Sequence, residues 1–315
     1  MRSKAMFTLL GCLFGLTIML SQAAAQQRPV TVPEIPGVVA AGTKWQIAAV
    51  TFVNADGIIG APDGSVMWAS QPASRVSGLD KDGREKIFWE NTNGAGAIGF
   101  ASNGQVFAMM RDVPALGLLA PEKKILMDNY QGDKFKGASD IVVDKKGGIY
   151  FTESGRTPFP GVYYYSPEGK LTSLADGIRA NGIMLSPDER TLYVTNRQSI
   201  VAFDVQPDGM VSKQREFCKL EGNGAADGTA IDAAGRLYVA ADPGIQVFSP
   251  EGKYLGSIPT PRPLNSLAFG GPGKKWIFIV GNGAVDAEGK QHPGSPAKTI
   301  YKISTLTEGF KGRAK

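Results

Sequence analysis

A ten-residue pattern recurs six times in this chain, and its spacing leaves few folds open. In register the copies read ADGIIGAPDG (55–64), AGAIGFASNG (95–104), ASDIVVDKKG (138–147), ANGIMLSPDE (180–189), ADGTAIDAAG (226–235) and LNSLAFGGPG (264–273). Their last positions stand 38 to 46 residues apart. Residues 224–261 show what fills each interval: apolar runs at 229–231, 237–241, 245–248 and 254–258, divided by turns such as Ala233-Ala234-Gly235 and Pro250-Glu251-Gly252. Short β-branched or aromatic runs bounded by Gly, Pro and Asp are antiparallel strands joined by hairpins. One four-stranded sheet cannot bury both of its faces, but six copies around an axis can. The expected fold is all-β: a six-bladed β-propeller with four-stranded antiparallel blades, one domain over residues 44–311.

The sixth repeat shows only three clear strands, at 266–269, 276–281 and 299–303. An apolar strand at 45–50 has no repeat before it, so an N-terminal strand is expected to complete the last blade and remove an open edge. Residues 26–43 carry Pro29, Pro33 and Pro36 and read as an extended leader. Ahead of them, Arg2 and Lys4 precede an apolar run over residues 5–20, and Ala23-Ala24-Ala25 follows. That order is a secretory signal peptide over residues 1–25. An uncleaved anchor, or a lipoprotein box at Leu9-Leu10-Gly11-Cys12, are the alternatives. The expected location is periplasmic or secreted, without stable membrane insertion after cleavage.

Removing Arg2 and Lys4 lowers the net charge from +5 to about +3. The basic residues are scattered and not interleaved with aromatics, which argues against nucleic acid as a partner. After cleavage Cys218 is the remaining cysteine, so no intrachain disulfide is expected, and its apolar neighbours suggest a small buried side chain.

The chemistry lies in one column of the repeat. Eight residues before each turn stand Asp56, Gly96, Ser139, Asn181, Asp227 and Asn265. In a propeller these positions form a ring around the axial channel, and five of them carry side-chain oxygen. Oxygens converging without His or Cys suit a hard cation, Ca²⁺ above Mg²⁺. The simpler reading is that Asp and Asn begin strands because they cap turns. With a cation polarising a carbonyl and a carboxylate taking a proton from water, the column suits ester or lactone hydrolysis. A Ser-His-Asp triad is not expected, since His292, the sole histidine, lies in a Gly/Pro-rich loop and no GxSxG elbow occurs.

The segments ANGIMLSPDERTLYVTN, ADGTAIDAAGRLYVA and LNSLAFGG resemble the Asn-Gly, Asp-Gly and Phe-Gly-Gly segments of the SMP-30/gluconolactonase/LRE-like family. Those proteins are six-bladed propellers that bind Ca²⁺ in the axial channel and typically open sugar lactones. The resemblance spans roughly residues 52–303. It implies Asn181 and Asp227 as metal ligands, with Asp227 also the general base. Asp56 stands where the family usually has a Glu, one methylene longer. Ser139 replaces an amide that meets metal or substrate, and Gly96-Ala97 replaces an Asn-Gly.

The resulting expectations are a Ca²⁺ (or other divalent cation) held by Asp56, Asn181 and Asp227, with Asp227 catalytic. Ser139, Asn265 and Arg156 are the substrate-binding candidates, and a small lactone or ester is the partner. Arg111 and Arg156 follow second strands of their blades, where either could contact a substrate carboxylate or hydroxyls; the simpler reading of each is a solvated surface arginine. Asp140 is expected to hold backbone groups, and Tyr163-Tyr164-Tyr165 to pack within a sheet. Two other classes stay open: a non-catalytic propeller that binds a ligand or protein and retains the metal, and a strictosidine-synthase-like propeller with different chemistry.

Overall fold

The structure, a computed structural model, describes residues 27–154, 161–175, 177–294 and 296–315. Six four-stranded antiparallel sheets stand in a ring. Blade one comprises Ile58–Gly60, Val66–Ser70, Arg75–Leu79 and Glu85–Glu90; blade two, Ala95–Phe100, Val106–Met110, Ala115–Ala120 and Lys124–Met127. Blade three comprises Ala138–Val143, Ile149–Glu153, Gly161–Tyr165 and Leu171–Ala175; blade four, Ala180–Leu185, Thr191–Asn196, Ser199–Val205 and Val211–Lys219. Blade five is Thr229–Ile231, Leu237–Ala241, Gly244–Phe248 and Tyr254–Pro259.

Blade six draws on both ends of the ring. Leu264–Gly270, Trp276–Asn282 and Lys298–Ser304 are joined on the outside by Gln46–Thr51, which pairs antiparallel with Lys298–Ser304. The closing strand is thus the expected one, displaced by one residue. Trp45 serves as an anchor instead: its indole N–H donates to the Pro259 carbonyl at 2.8 Å, and its ring meets Tyr301 edge-on.

The turn that ends each copy of the repeat explains the register. Gly64, Gly104, Gly147, Gly235 and Gly273 have φ between 66° and 92°, and Glu189 takes the same left-handed conformation at φ 60°. Glycine reaches that region at no steric cost, so the column is glycine-rich for a backbone reason. Glu189 compensates with its carboxylate, which accepts from the Lys145 N–H at 2.9 Å and pairs with Arg313 at 2.7 Å.

The core lies between neighbouring blades. Ile141, Phe151 and Leu116 join blades two and three, and Leu192, Val194 and Leu237 join blades four and five. A fully buried aliphatic or aromatic side chain of this kind contributes about 1.5–3 kcal/mol. Tyr163 stacks on Phe151 at 5.3 Å, and Cys218 is buried, its thiol pushed up to about 12 by that burial. In the segment ahead of the ring, Val32, Ile35, Val38 and Val39 are buried against blades five and six.

The far end of the innermost strands is covered by residues 308–315. Ala233 N donates to the Glu308 carbonyl, Phe310 N to that of Ile231, and Gly60 N to that of Ala314. Arg313 pairs with Glu189, Lys274 donates to the Arg313 carbonyl, and the Lys315 ammonium reaches Asp140. The segment therefore touches five of the six blades: one, three, four, five and six.

Candidate functional site

At the opposite end the column residues line one cavity of about 440 Å³. Two local devices aim them there. Gly96, Ser139, Asn181 and Asn265 each sit where the pairing of the first and second strands of their blade slips register. A bulge of this kind adds a residue to one strand and redirects its side chain. Asp56 and Asp227 lie two residues ahead of very short innermost strands, Ile58–Gly60 and Thr229–Ile231, with their N–H groups bonded to Ala69 and Ala240.

The glycines that follow have a different task. A Cβ on Gly182 would lie 2.2 Å from the Asp227 carbonyl oxygen, and one on Gly57 would lie 2.7 Å from Gly96 O. Gly57 N in fact donates to Gly96 O at 2.9 Å, and Gly228 N to Asn265 O at 3.0 Å. The Asp-Gly and Asn-Gly pairs therefore place an oxygen at the axis and let the adjoining blade close against it.

A hydrogen-bonded row crosses the cavity wall. Ser139 Oγ donates to Asn181 Oδ1 at 2.7 Å, and Asn181 Nδ2 donates to Asp227 Oδ1 at 2.8 Å. On the other side Arg111 Nη1 donates to Asp56 Oδ2 at 2.5 Å. Burial pushes the Asp227 carboxyl up to about 7, with the charges of Asp56 and Asp140 acting in the same direction. Arg111 and the Asn181 bond offset only part of that.

Every residue of the sequence-derived column meets in this cavity, Asn265 included. Arg156 lies outside the described residues. Asp140 holds backbone groups, accepting from Ile141 N at 2.9 Å and Ile183 N at 3.1 Å, and it also carries Lys315. His292 bonds Asp286 at 2.8 Å and abuts Phe52, away from the cavity lining.

Of two cations at the site, the sequence reading weighed Arg111, as a substrate contact or a surface residue, and missed Lys298. Arg111 is not a solvated surface residue: it turns into the cavity, and its signal was the one glycine in a column of oxygens. Lys298 is buried and bonds Asn282 Oδ1, with Asp56 and Asp227 near enough to act on its charge. No local pattern marks it, because it opens the third strand of a blade rather than the first.

The donor set fits a hard divalent cation. Among the described residues no three of His, Cys, Asp and Glu form a ready-made cluster. What converges is two carboxylates with the oxygens of Asn181 and Ser139, all hard donors. A buried carboxyl raised by a neighbouring carboxylate is the situation a bound cation relieves.

Known proteins with related chains carry the same architecture. Residues 55–282 match the family model of the SMP-30/gluconolactonase/LRE-like region. A gluconolactonase of Zymomonas mobilis is 32% identical over 184 residues, 50% of this chain and 51% of the relative. The lactonase drp35 of Staphylococcus aureus is 36% identical over 138 residues, 39% of this chain and 41% of its own. The chain thus spans about half the length, or less, of these curated relatives. Among solved structures, a gluconolactonase from Xanthomonas campestris superposes with a TM-score of 0.75 at 21% identity, over 90% of this chain and 97% of that one. A calcium-binding protein, regucalcin, from Agrobacterium tumefaciens gives 0.69 at 18% identity, over 85% and 95%. By its repeats, its ring of blades and the match over residues 55–282, the chain belongs to the SMP-30/gluconolactonase/LRE-like family.

Proposed function

We propose that the chain is an exported hydrolase of small cyclic esters of the sugar-lactone type, dependent on Ca²⁺ or another divalent cation. The observation that carries this reading is the Asp227 carboxyl, raised to about 7 by its burial and set in a cavity ringed by Asp56, Ser139, Asn181 and Asn265. Relatives named gluconolactonase and lactonase point to the substrate class, and the calcium-binding neighbour to the ion. The signal-like order of residues 1–25 supports export.

In this reading Asp56, Asn181 and Asp227 would hold the cation. When bound, it supplies Lewis-acid polarisation of the ester carbonyl. Asp227, as the carboxylate, takes a proton from the attacking water. Asn181 fixes the orientation of Asp227 through its amide, and Ser139 fixes Asn181 in turn. Ser139 and Asn265 face the same space and are the hydrogen-bonding groups for substrate hydroxyls. Arg156 is retained as a substrate contact from the sequence.

The test is hydrolysis of a panel of aldonolactones and simple lactones with calcium and with EDTA. Turnover lost in EDTA, restored by Ca²⁺ and abolished in Asp227→Ala is the expected result. Metal uptake without turnover of any lactone would turn the reading toward a binding propeller.

A further inference from the structure

The column has one gap. Gly96 brings no side chain where the other five blades bring an oxygen. The space is filled from the same blade by Arg111: a Cβ on Gly96 would lie 2.1 Å from Arg111 Nε and 2.3 Å from its Cζ. The guanidinium is fixed on three sides. Nε donates to the Ala138 carbonyl at 2.9 Å, Nη2 to the Ser139 carbonyl at 3.4 Å, and Nη1 to Asp56 Oδ2 at 2.5 Å. These acceptors belong to blade three and to the entry of blade one, so the charge bridges the two neighbours of blade two. Its side chain is only 24% exposed. A planar donor held in three directions does not swing aside readily.

Resting on the cation site proposed above, we infer that Arg111 is a built-in counterion of Asp56 that holds this ligand in place and weakens the site's affinity for a divalent cation. Two effects act together. The guanidinium engages one oxygen of Asp56, leaving the carboxylate a single unshared oxygen for an ion. Its positive charge also repels any divalent ion that arrives beside it, and with both side chains about three-quarters buried the repulsion is less screened than at the surface. The site is thereby set to load and release its ion rather than to keep it permanently. Gly96 belongs to the same device, since any larger residue there displaces the guanidinium. Arg111 is a positioning residue, acting through Asp56.

Calorimetric titration of the metal-free full chain with Ca²⁺ alone tests this, with folding followed by circular dichroism. Arg111→Met, which keeps length and removes charge, is expected to bind Ca²⁺ at least tenfold more tightly than the wild type. Gly96→Ala, which leaves the arginine in the chain but expels it, should shift affinity in the same direction. The double variant should bind no more tightly than Arg111→Met. Arg111→Lys keeps the charge and should stay within about threefold of the wild type. Wild-type binding that is unchanged or weakened in both Arg111→Met and Gly96→Ala overturns this inference alone. An Arg111→Lys gain as large as that of Arg111→Met also overturns it. Absence of Ca²⁺ uptake in the wild type and all variants overturns the cation site itself, and this inference with it.

Discussion

At the closing end of the innermost strands Asp232 is fully buried and answered on every side. It accepts from Ala234 N and Arg236 N at 2.9 Å each, from Arg236 Nε at 2.6 Å and from the Tyr238 hydroxyl at 2.9 Å. At the opening end Asp227 receives a side-chain hydrogen bond from Asn181 and faces the charge of Asp56. The same strand of blade five lies between the two carboxylates. The contrast separates work done for the fold from work held for chemistry: a structural carboxylate is saturated, and a reactive one is left short of partners.

The largest effects should exchange ends. Asp227→Asn is expected to lower kcat for lactone hydrolysis by about 10²–10⁴, the usual range for a lost general base, while leaving the melting temperature close to that of the wild type. Asp232→Ala should do the reverse, costing about 3–5 kcal/mol in urea unfolding because it removes four hydrogen bonds from the buried end and strands the charge of the half-buried Arg236. Equal loss of stability in both variants would break the comparison.

The two ends should also differ in pH response. Asp227 titrates near 7 in the folded chain and near 3.8 when unfolded, so the folded state holds this proton more tightly. Its contribution to metal-free stability is therefore complete below about pH 4 and is lost as pH rises through 7. Calcium must displace the same proton. Its affinity is expected to fall about 30-fold between pH 8 and pH 5.5, and Asp227→Asn should remove that slope. A calorimetric series over that range checks both.

Smaller effects sharpen the sealed end. Lys315→Met leaves Asp140 buried without its ammonium and should cost about 1–3 kcal/mol in thermal unfolding. At Glu189 the backbone and the side chain oppose each other. Glu189→Gly loses the Arg313 pair but relieves the left-handed φ, whereas Glu189→Ala loses the pair and keeps the backbone cost. The glycine variant should therefore be more stable than the alanine variant by about 1 kcal/mol, measured by the same melts.

Much of this was legible before any coordinates. The left-handed turn needs glycine at Gly64, Gly104, Gly147, Gly235 and Gly273, and that demand wrote the repeat into the chain. The ring of oxygens was legible for the same reason, since each member sits at a fixed distance from its turn. What stayed hidden depends on long side chains reaching between blades. Arg111 crosses from blade two to Asp56 and Ser139, and Lys315 lies 175 residues from Asp140. Neither distance follows the period of the repeat. The burial of Val32, Ile35, Val38 and Val39 was equally hidden, because three prolines in the same stretch suggested extension without docking.

The outer strand of blade six has a consequence for how the molecule is made. Gln46–Thr51 is the first strand of the propeller to leave the ribosome, yet its partner, Lys298–Ser304, is the last. Throughout synthesis of the intervening blades this strand travels with both edges unpaired, and in the finished ring one edge stays open and Ile47 is 57% exposed. Closure is a single late event in which the two ends of the propeller meet. Until then the nascent chain presents a sticky, incomplete arc rather than a ring.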